Sequence, residues 1–105
     1  MSYKWPDKDK DEVVDYSVDW SRFLGTDGIS AVTWSIIDAN GNKEVVSNTE
    51  IVNGLQFLQG TISGQVATAR FGLGTNNTRY TVSCKITTSA GLAYERSIFL
   101  RIREK

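Results

Sequence analysis

The feature that most constrains this chain is a strict two-residue alternation of apolar and polar side chains in its last third. Two successive runs show it, with apolar residues at positions 80, 82, 84 and 86 and again at 98, 100 and 102, on either side of a turn that contains Gly91. A period of two places every second side chain on the same face of a strand. The two runs therefore predict a long antiparallel hairpin with one buried face, in an all-β protein.

The same alternation, interrupted by turn signals, recurs along the rest of the chain. Trp20 ends a first run and Trp34 lies in the middle of a second run, which stops at a strong turn signal, and both indoles are predicted to be buried. The predicted strands before the hairpin are 14–20, 29–37, 44–47, 54–58 and 66–71, with a glycine-rich loop at 72–78. About seven short strands in a chain of this length fit an immunoglobulin-like two-sheet β-sandwich.

Residues 1–12 differ from the remainder of the chain because they are polar, rich in Lys and Asp, and without any period. They predict an extended N-terminal arm in front of a sandwich domain that comprises residues 13–105. Trp5 stands out within this arm, since a large apolar group needs to be covered. Two interpretations stay open: a partner covers Trp5, or Trp5 folds back onto its own sandwich.

Composition and charge exclude several classes of function. Twelve basic and twelve acidic residues cancel, so no net field attracts the chain to nucleic acid or to an anionic membrane. Apolar runs are too short to cross a membrane and the start lacks a secretion signal, which favours folding in the cytoplasm. Histidine is absent and Cys84 is the single cysteine, so the commonest general base, the commonest metal ligand and an internal disulfide are missing. We therefore predict no enzymatic activity and no cofactor.

Individual motifs lead to the same expectation. Asp7, Asp9 and Asp11 alternate like the first ligands of a calcium loop, but Glu12 stands where that loop needs glycine. We therefore expect no metal ligand and no catalytic or cofactor-binding residue. Cys84 is predicted to be a small buried hydrophobic residue, and Tyr80 to bond nearby backbone through its hydroxyl, as a tyrosine corner does.

The N-terminal arm is the predicted partner-binding region. It places large apolar groups among charged residues, and an extended arm of this kind becomes ordered when something covers it. The candidate partner-binding residues are Tyr3, Trp5, Pro6, Asp7 and Asp9.

Several segments resemble known sequences. Residues 34–41 (WSIIDANG), 80–86 (YTVSCKI) and 89–91 (SAG) resemble the strand and corner pattern of bacterial and phage Ig-like modules. The start, 8–12 (KDKDE) and 15–20 (DYSVDW), together with 95–97 (ERS) and 101–105 (RIREK), is similar to small virion proteins of tailed phages. Proteins of that group are often described as fibre-tail adaptors, and the resemblance extends over nearly the whole chain.

The resemblance implies a non-enzymatic virion structural protein, an adaptor that links tail or neck components to fibres through protein–protein contacts. Its implied partners are other virion proteins, tail or neck ring subunits or fibre subunits, in a multi-copy assembly without nucleic acid or membrane. Such a protein is made in the host cytoplasm and ends in the virion. Two alternatives remain: a capsid-decorating (cement) Ig-like protein, and a carbohydrate- or surface-binding Ig-like module. The loops carry no aromatic residue at their tips to stack on a sugar, which disfavours the second alternative.

Overall fold

A computed structural model describes residues 3–37 and 41–104 and confirms the all-β class. The only helix in this part of the chain is one short turn after the second strand. The elements are β1 (Tyr3–Lys4), β2 (Val14–Asp19), α1 (Ser21–Leu24), β3 (Ile29–Ile37), β4 (Lys43–Val45), β5 (Ile51–Val52), β6 (Leu55–Ser63), β7 (Val66–Leu73), β8 (Thr78–Thr88) and β9 (Ala93–Ile102). The predicted turn at 38–41 falls mainly on residues 38–40, which lie outside the described residues.

The strands form two sheets that share one core. Sheet one has the order β1-β9-β8-β3-β4 and sheet two the order β2-β7-β6-β5. Neighbouring strands are antiparallel, except that β1 runs parallel to β9. Each sheet turns one apolar face inward, so the two faces form the core of a two-sheet sandwich.

The hairpin predicted from the alternation is formed by β8 and β9. Val82 lies opposite Ile98, and Tyr80 lies opposite Leu100. All four side chains are buried because residues directly opposite each other in an antiparallel pair share a face. The prediction for Cys84 is also confirmed, since its side chain is fully buried within the same face.

Two segments predicted as turn or loop are strand. β6 continues to Ser63 through the segment between Gly60 and Gly64, and β7 continues to Leu73. Their pairing satisfies backbone groups that a loop would leave to water. Gly60 serves a close approach and not a turn, because a Cβ atom there would lie 3.0 Å from the Trp34 ring.

Two tryptophans are buried as predicted, but one phenylalanine is exposed. Trp20 is 1% exposed and Trp34 is 3% exposed. Phe23 follows the first predicted strand and, as a large apolar residue, is expected to fill one end of the core, but it is 52% exposed. The turn of α1 directs Phe23 outward, where its ring packs edge-on against Tyr94 with centroids 4.5 Å apart.

The chain crosses between the two sheets on both sides of the sandwich. On one side residues 3–12, hereafter the N-terminal strap, lead from β1 in sheet one to β2 in sheet two. On the other side residues 46–50 lead from β4 in sheet one to β5 in sheet two. The strap carries the predicted partner-binding residues.

Candidate partner-binding site

The backbone of the N-terminal strap is bonded to its own sandwich. Tyr3 and Lys4 pair with β9, and the Trp5 amide donates a hydrogen bond of 2.9 Å to the carbonyl of Phe99. Further along, the Lys8 amide donates to the Arg101 carbonyl at 3.0 Å. Tyr3–Lys4 therefore add a short parallel strand to sheet one, and Lys8 adds an isolated parallel bridge to Ile102. The sandwich itself supplies the order that was expected from a partner.

Trp5 packs into the core on the side of the sandwich that the strap covers. Its side chain is 7% exposed and its ring stacks on Tyr16, with centroids 4.8 Å apart and an angle of 16° between the planes. The indole Nε1 donates a hydrogen bond of 3.1 Å to the Ser17 carbonyl, so the buried polar atom is satisfied. Of the two interpretations of Trp5, the structure confirms that it folds back onto its own sandwich.

Lys8 fixes the strap a second time. Its side chain is fully buried, and Nζ donates hydrogen bonds to the carbonyls of Asp9 and Leu73. A buried ammonium is tolerated only where such bonds replace water. The Leu73 carbonyl lies at the end of β7, so this bond links the strap to sheet two. The burial of Lys8 was not predicted, because a single buried lysine in a run of alternating charges leaves no recognisable pattern in the sequence.

The acidic residues at the end of the strap form a tight local turn. The Asp9 amide donates to Glu12 Oε1 at 2.8 Å, and the Asp11 amide donates to Asp9 Oδ1 at 2.9 Å. The Asp9 carboxylate thus accepts from the backbone two residues on, as in an Asx turn. No group of three His, Cys, Asp or Glu residues suited to a metal ion occurs within residues 3–37 and 41–104.

Pro6 and Asp7 form the outer side of the strap. Pro6 is exposed, and its carbonyl accepts a hydrogen bond of 2.9 Å from the Tyr16 hydroxyl. The Asp7 carboxylate lies 3.8 Å from Lys4 Nζ and 3.6 Å from Arg103 Nη1. The Asp7 side chain keeps only a quarter of its surface exposed. Together with the two ion pairs, this holds the carboxylate in one position on the outer side of the strap.

A groove of about 510 Å³ follows the strap where it meets β2. Its lining comprises Trp5, Pro6, Asp7, Glu12, Val14, Asp15, Tyr16 and Ser17. Burial, together with the negative charges of Glu12 and Asp7, raises the pKa of Tyr16 to about 12. At the exposed end of the groove, the hydrogen bond from Arg70 lowers the pKa of Asp15. The groove therefore combines an apolar floor with a rim of carboxylates.

The five predicted residues are distributed over this region unequally. Trp5, Pro6 and Asp7 line the groove, whereas Asp9 lies in the following turn and Tyr3 contributes its backbone to β1. Two carboxylates of the rim, Glu12 and Asp15, were missed as site residues, although the outward position of Asp15 follows from the alternation in the first predicted strand. Contact of these residues with a partner stays a prediction.

Two comparisons with known proteins complete the description. Comparison with curated proteins gives no match. No helix within residues 3–37 and 41–104 has the length and apolar character needed to cross a membrane. The model of one protein family, described as podophage GP4 fiber-tail adaptor protein gp77, matches residues 8–101. That range runs from Lys8 of the strap almost to the end of β9. The chain therefore belongs to the podophage GP4 fiber-tail adaptor protein gp77 family.

Proposed function

We propose that this protein is a non-enzymatic structural adaptor that links tail or neck components of a phage particle to its fibres. The observation that carries the proposal is the family match over residues 8–101. The absence of histidine from the sequence and the burial of Cys84 agree with a role in contacts and not in catalysis.

The partners that follow from this role are other virion proteins, tail or neck ring subunits on one side and fibre subunits on the other. The protein acts in several copies, is made in the host cytoplasm and is incorporated into the virion. The zero formal net charge supports contacts guided by shape and by local charge, without nucleic acid or membrane.

The outer side of the N-terminal strap is one of the contact surfaces that we propose. Trp5 and the backbone of Tyr3 hold the strap on the sandwich. Pro6, Asp7 and Asp9 belong to the outer side of the strap. The carboxylates around the groove favour a partner segment that presents lysine or arginine.

The adaptor role is tested with phage particles assembled in the absence of this protein. We expect particles that lack fibres, as counted by electron microscopy and by mass spectrometry of the fibre subunits, and that recover fibres when the protein is supplied. Particles that keep their fibres but lose capsid stability would instead identify a capsid-decorating protein.

The strap surface is tested with Pro6→Arg, which adds bulk and positive charge at an exposed position without changing the core. We expect the purified variant to fold normally and to be incorporated into particles several-fold less than the unchanged protein. The matched control is Thr26→Arg, in the exposed turn after α1. Equal incorporation of both variants would contradict a contact at the strap.

A further inference from the structure

Sheet one is incomplete along part of β3. β8 pairs with β3 from Ile29 to Ile37, whereas β4 pairs only with Ser35–Ile37 on the opposite edge. The Val46 amide donates to the Trp34 carbonyl at 3.0 Å, and the chain then leaves for sheet two. No strand of the described ranges, 3–37 and 41–104, lies beside the outer edge at residues 29–33. This open edge is roughly 16 Å long and presents N–H and C=O groups, which alternate regularly from Ala31 onward because the pairing register of β3 shifts between Ile29 and Ala31.

Sheet two is uncovered below this same edge. Gly60 and Ile62 of β6 lie opposite Ala69 and Ala67, which are fully buried in the core. Because opposite residues of an antiparallel pair share a face, Ile62 also belongs to the inner face of the sheet. Its side chain is nevertheless 42% exposed. The core therefore lacks a cover at the place where sheet one lacks a strand.

The uncovered region is an uncharged groove of about 400 Å³ between the two sheets. Its lining comprises Val32, Thr33, Trp34, Val45, Val46, Asn48, Phe57, Gly60, Thr61 and Ile62. No charged side chain lies in this lining, so a charge buried here by a ligand would have no opposite charge to pair with. The groove thus selects an uncharged, largely apolar occupant.

Trp34 adds a polar signal to the apolar groove. The ring is 3% exposed, and its Nε1 has no hydrogen-bond partner within the described part of the chain. A Cβ atom on Gly60 would lie 3.0 Å from Nε1, so the indole edge lies directly against the bare backbone of β6. Buried N–H groups are rarely left unpaired in native proteins. The groove therefore also contains a donor that lacks an acceptor.

We propose that this groove accepts an extended, uncharged segment of another virion protein, with apolar side chains at every second position. The segment adds as a strand beside residues 29–33 of β3 and covers Ile62 with its inward side chains. Nε1 of Trp34 is buried against Gly60, so a carbonyl or side-chain oxygen of the segment accepts from it once β6 moves aside at Gly60. The donor is a different protein, because the alternating apolar runs in the described part of this chain are already paired within its own sheets.

The inference deepens the proposed function, since the assignment of the donor to a virion protein rests on the adaptor role. The strand-accepting edge itself is tested with the isolated full-length protein. The probe is a short peptide of alternating valine and threonine, with lysine at both ends for solubility. We expect saturable binding with a dissociation constant in the range of about 0.1 to 1 mM. Backbone amide signals at residues 29–33 and 57–62 should shift, and amide hydrogen exchange at 29–33 should slow about tenfold.

Two variants and one modified peptide make the test specific. Ile62→Asp places a charge in the groove and should weaken binding at least tenfold, while Leu92→Asp, at another exposed apolar position, should leave it unchanged. Circular dichroism checks that both variants are folded. Peptides N-methylated at every second residue, in either register, keep the side chains and lose donors; at least one should bind much more weakly.

Three results would overturn the proposal. The first is no saturable binding at about 5 mM peptide. The second is binding of both N-methylated peptides as tight as that of the unmodified peptide, which would mean apolar contact without strand addition. The third is a concentration-dependent shift of residues 29–33 without peptide, which would identify a second copy of the chain as the occupant. Because no particle enters this assay, its failure leaves the adaptor role to the fibre-counting experiment, and the reverse also holds.

Discussion

Trp5 and Trp34 lie side by side in the core, with ring centroids 6.1 Å apart, and their indole N–H groups differ. Trp5 points from the N-terminal strap into the core and donates to the Ser17 carbonyl, whereas Trp34 lines the open groove and its N–H has no partner among residues 3–37 and 41–104. Both rings are more than nine-tenths buried. The difference assigns a structural role to Trp5 and leaves the hydrogen-bonding capacity of Trp34 for a ligand.

Trp5→Ala should lower the free energy of unfolding by about 3 to 5 kcal/mol, because it removes a large side chain from the core and leaves a cavity. Urea denaturation of the isolated protein measures this loss. Phe23→Ala, at an aromatic position that is 52% exposed, serves as control and should cost about 1 kcal/mol or less. A loss below about 1 kcal/mol for Trp5→Ala would mean that the strap is not part of the folded domain.

Tyr80 bears out the expectation that its hydroxyl bonds nearby backbone. The hydroxyl donates to the Asn53 carbonyl at 2.7 Å and accepts from the Thr75 amide at 2.9 Å. Tyr80→Phe removes the acceptor of the Thr75 amide and leaves the Asn53 carbonyl only a longer bond of 3.4 Å from Thr75 Oγ1. The substitution should therefore cost about 1 to 3 kcal/mol. Tyr94→Phe is the matched control and should cost much less, because no hydrogen bond joins the Tyr94 hydroxyl to the described residues. Equal losses in urea denaturation would refute the assigned role.

Glu95 makes stability depend on pH. Its carboxylate accepts hydrogen bonds from Lys43 and from Ser83 Oγ, the latter at 2.6 Å, and both bonds lower the pKa of Glu95. A lowered folded-state pKa means that the contribution is present above the unfolded value, near 4.5, and is lost as pH falls through the folded-state pKa. Glu95→Gln should therefore be less stable than the unchanged protein at pH 7, and this difference should shrink as the pH falls below 4.5. A stability gap that does not shrink on acidification would contradict this linkage.

At the scale of elements, the parts that the sequence predicted are those with a period. β3 has the predicted bounds, and the β8–β9 hairpin has the predicted buried face, because each strand pairs with neighbours that share its alternation. The end of β6 was misjudged because Gly60 suggested a turn where the Trp34 ring needed space. The end of β7 was misjudged because Gly72 suggested a loop, although it pairs with Gln56 within the sheet. Glycine alone does not distinguish these two uses.

The N-terminal strap could not be predicted, for a different physical reason. The strap is ordered by backbone hydrogen bonds to β9 and by the side chains of Trp5 and Lys8. Neither backbone bonds nor two single side chains leave a repeating pattern in the sequence. The candidate site shares this limit. The aromatic and acidic residues of the groove were visible one by one, but their common surface depends on a pairing between residues about 95 positions apart.

Deletion of residues 1–8 tests the strap as an element. The truncated chain should unfold at a clearly lower urea concentration, because it loses Trp5 and the Lys8 bonds. Amides of β9 should exchange faster, since their parallel neighbour is gone. The control is a chain that lacks only residues 1 and 2. If the shorter chain matches the control in both measurements, the strap contributes nothing to the fold and serves only contacts outside the domain.

At the scale of the whole molecule, Cys84 reports on global opening. The thiol is fully buried between the sheets, and burial raises its pKa to about 12. Because the thiolate is the reactive form, a thiol reagent at pH 8 should label Cys84 only through global unfolding. Mass spectrometry should show labelling that is slow in buffer, complete within minutes in denaturant, and faster in Trp5→Ala in proportion to its loss of stability. Rapid labelling of the unchanged protein in buffer would contradict a closed core.

The burial of Cys84 also makes the stability of the protein decrease at alkaline pH. A folded-state pKa above the unfolded value of 9.0 means that the contribution of the neutral thiol is complete below pH 9 and declines as pH rises above it. Tyr16 acts in the same direction, since its folded-state pKa is also raised above its ordinary value.

The parallel pairing of β1 with β9 has a consequence for the order in which the molecule is completed during synthesis. Tyr3 emerges from the ribosome early, but its partner Ile98 follows about 95 residues later. Trp5 and Lys8 therefore have no place to dock until nearly the whole sandwich has been translated. During this interval the nascent chain carries an unpaired segment with an exposed tryptophan. Its docking cannot precede the synthesis of β9, so a chain interrupted before β9 keeps this tryptophan exposed, where chaperones and proteases can recognise it.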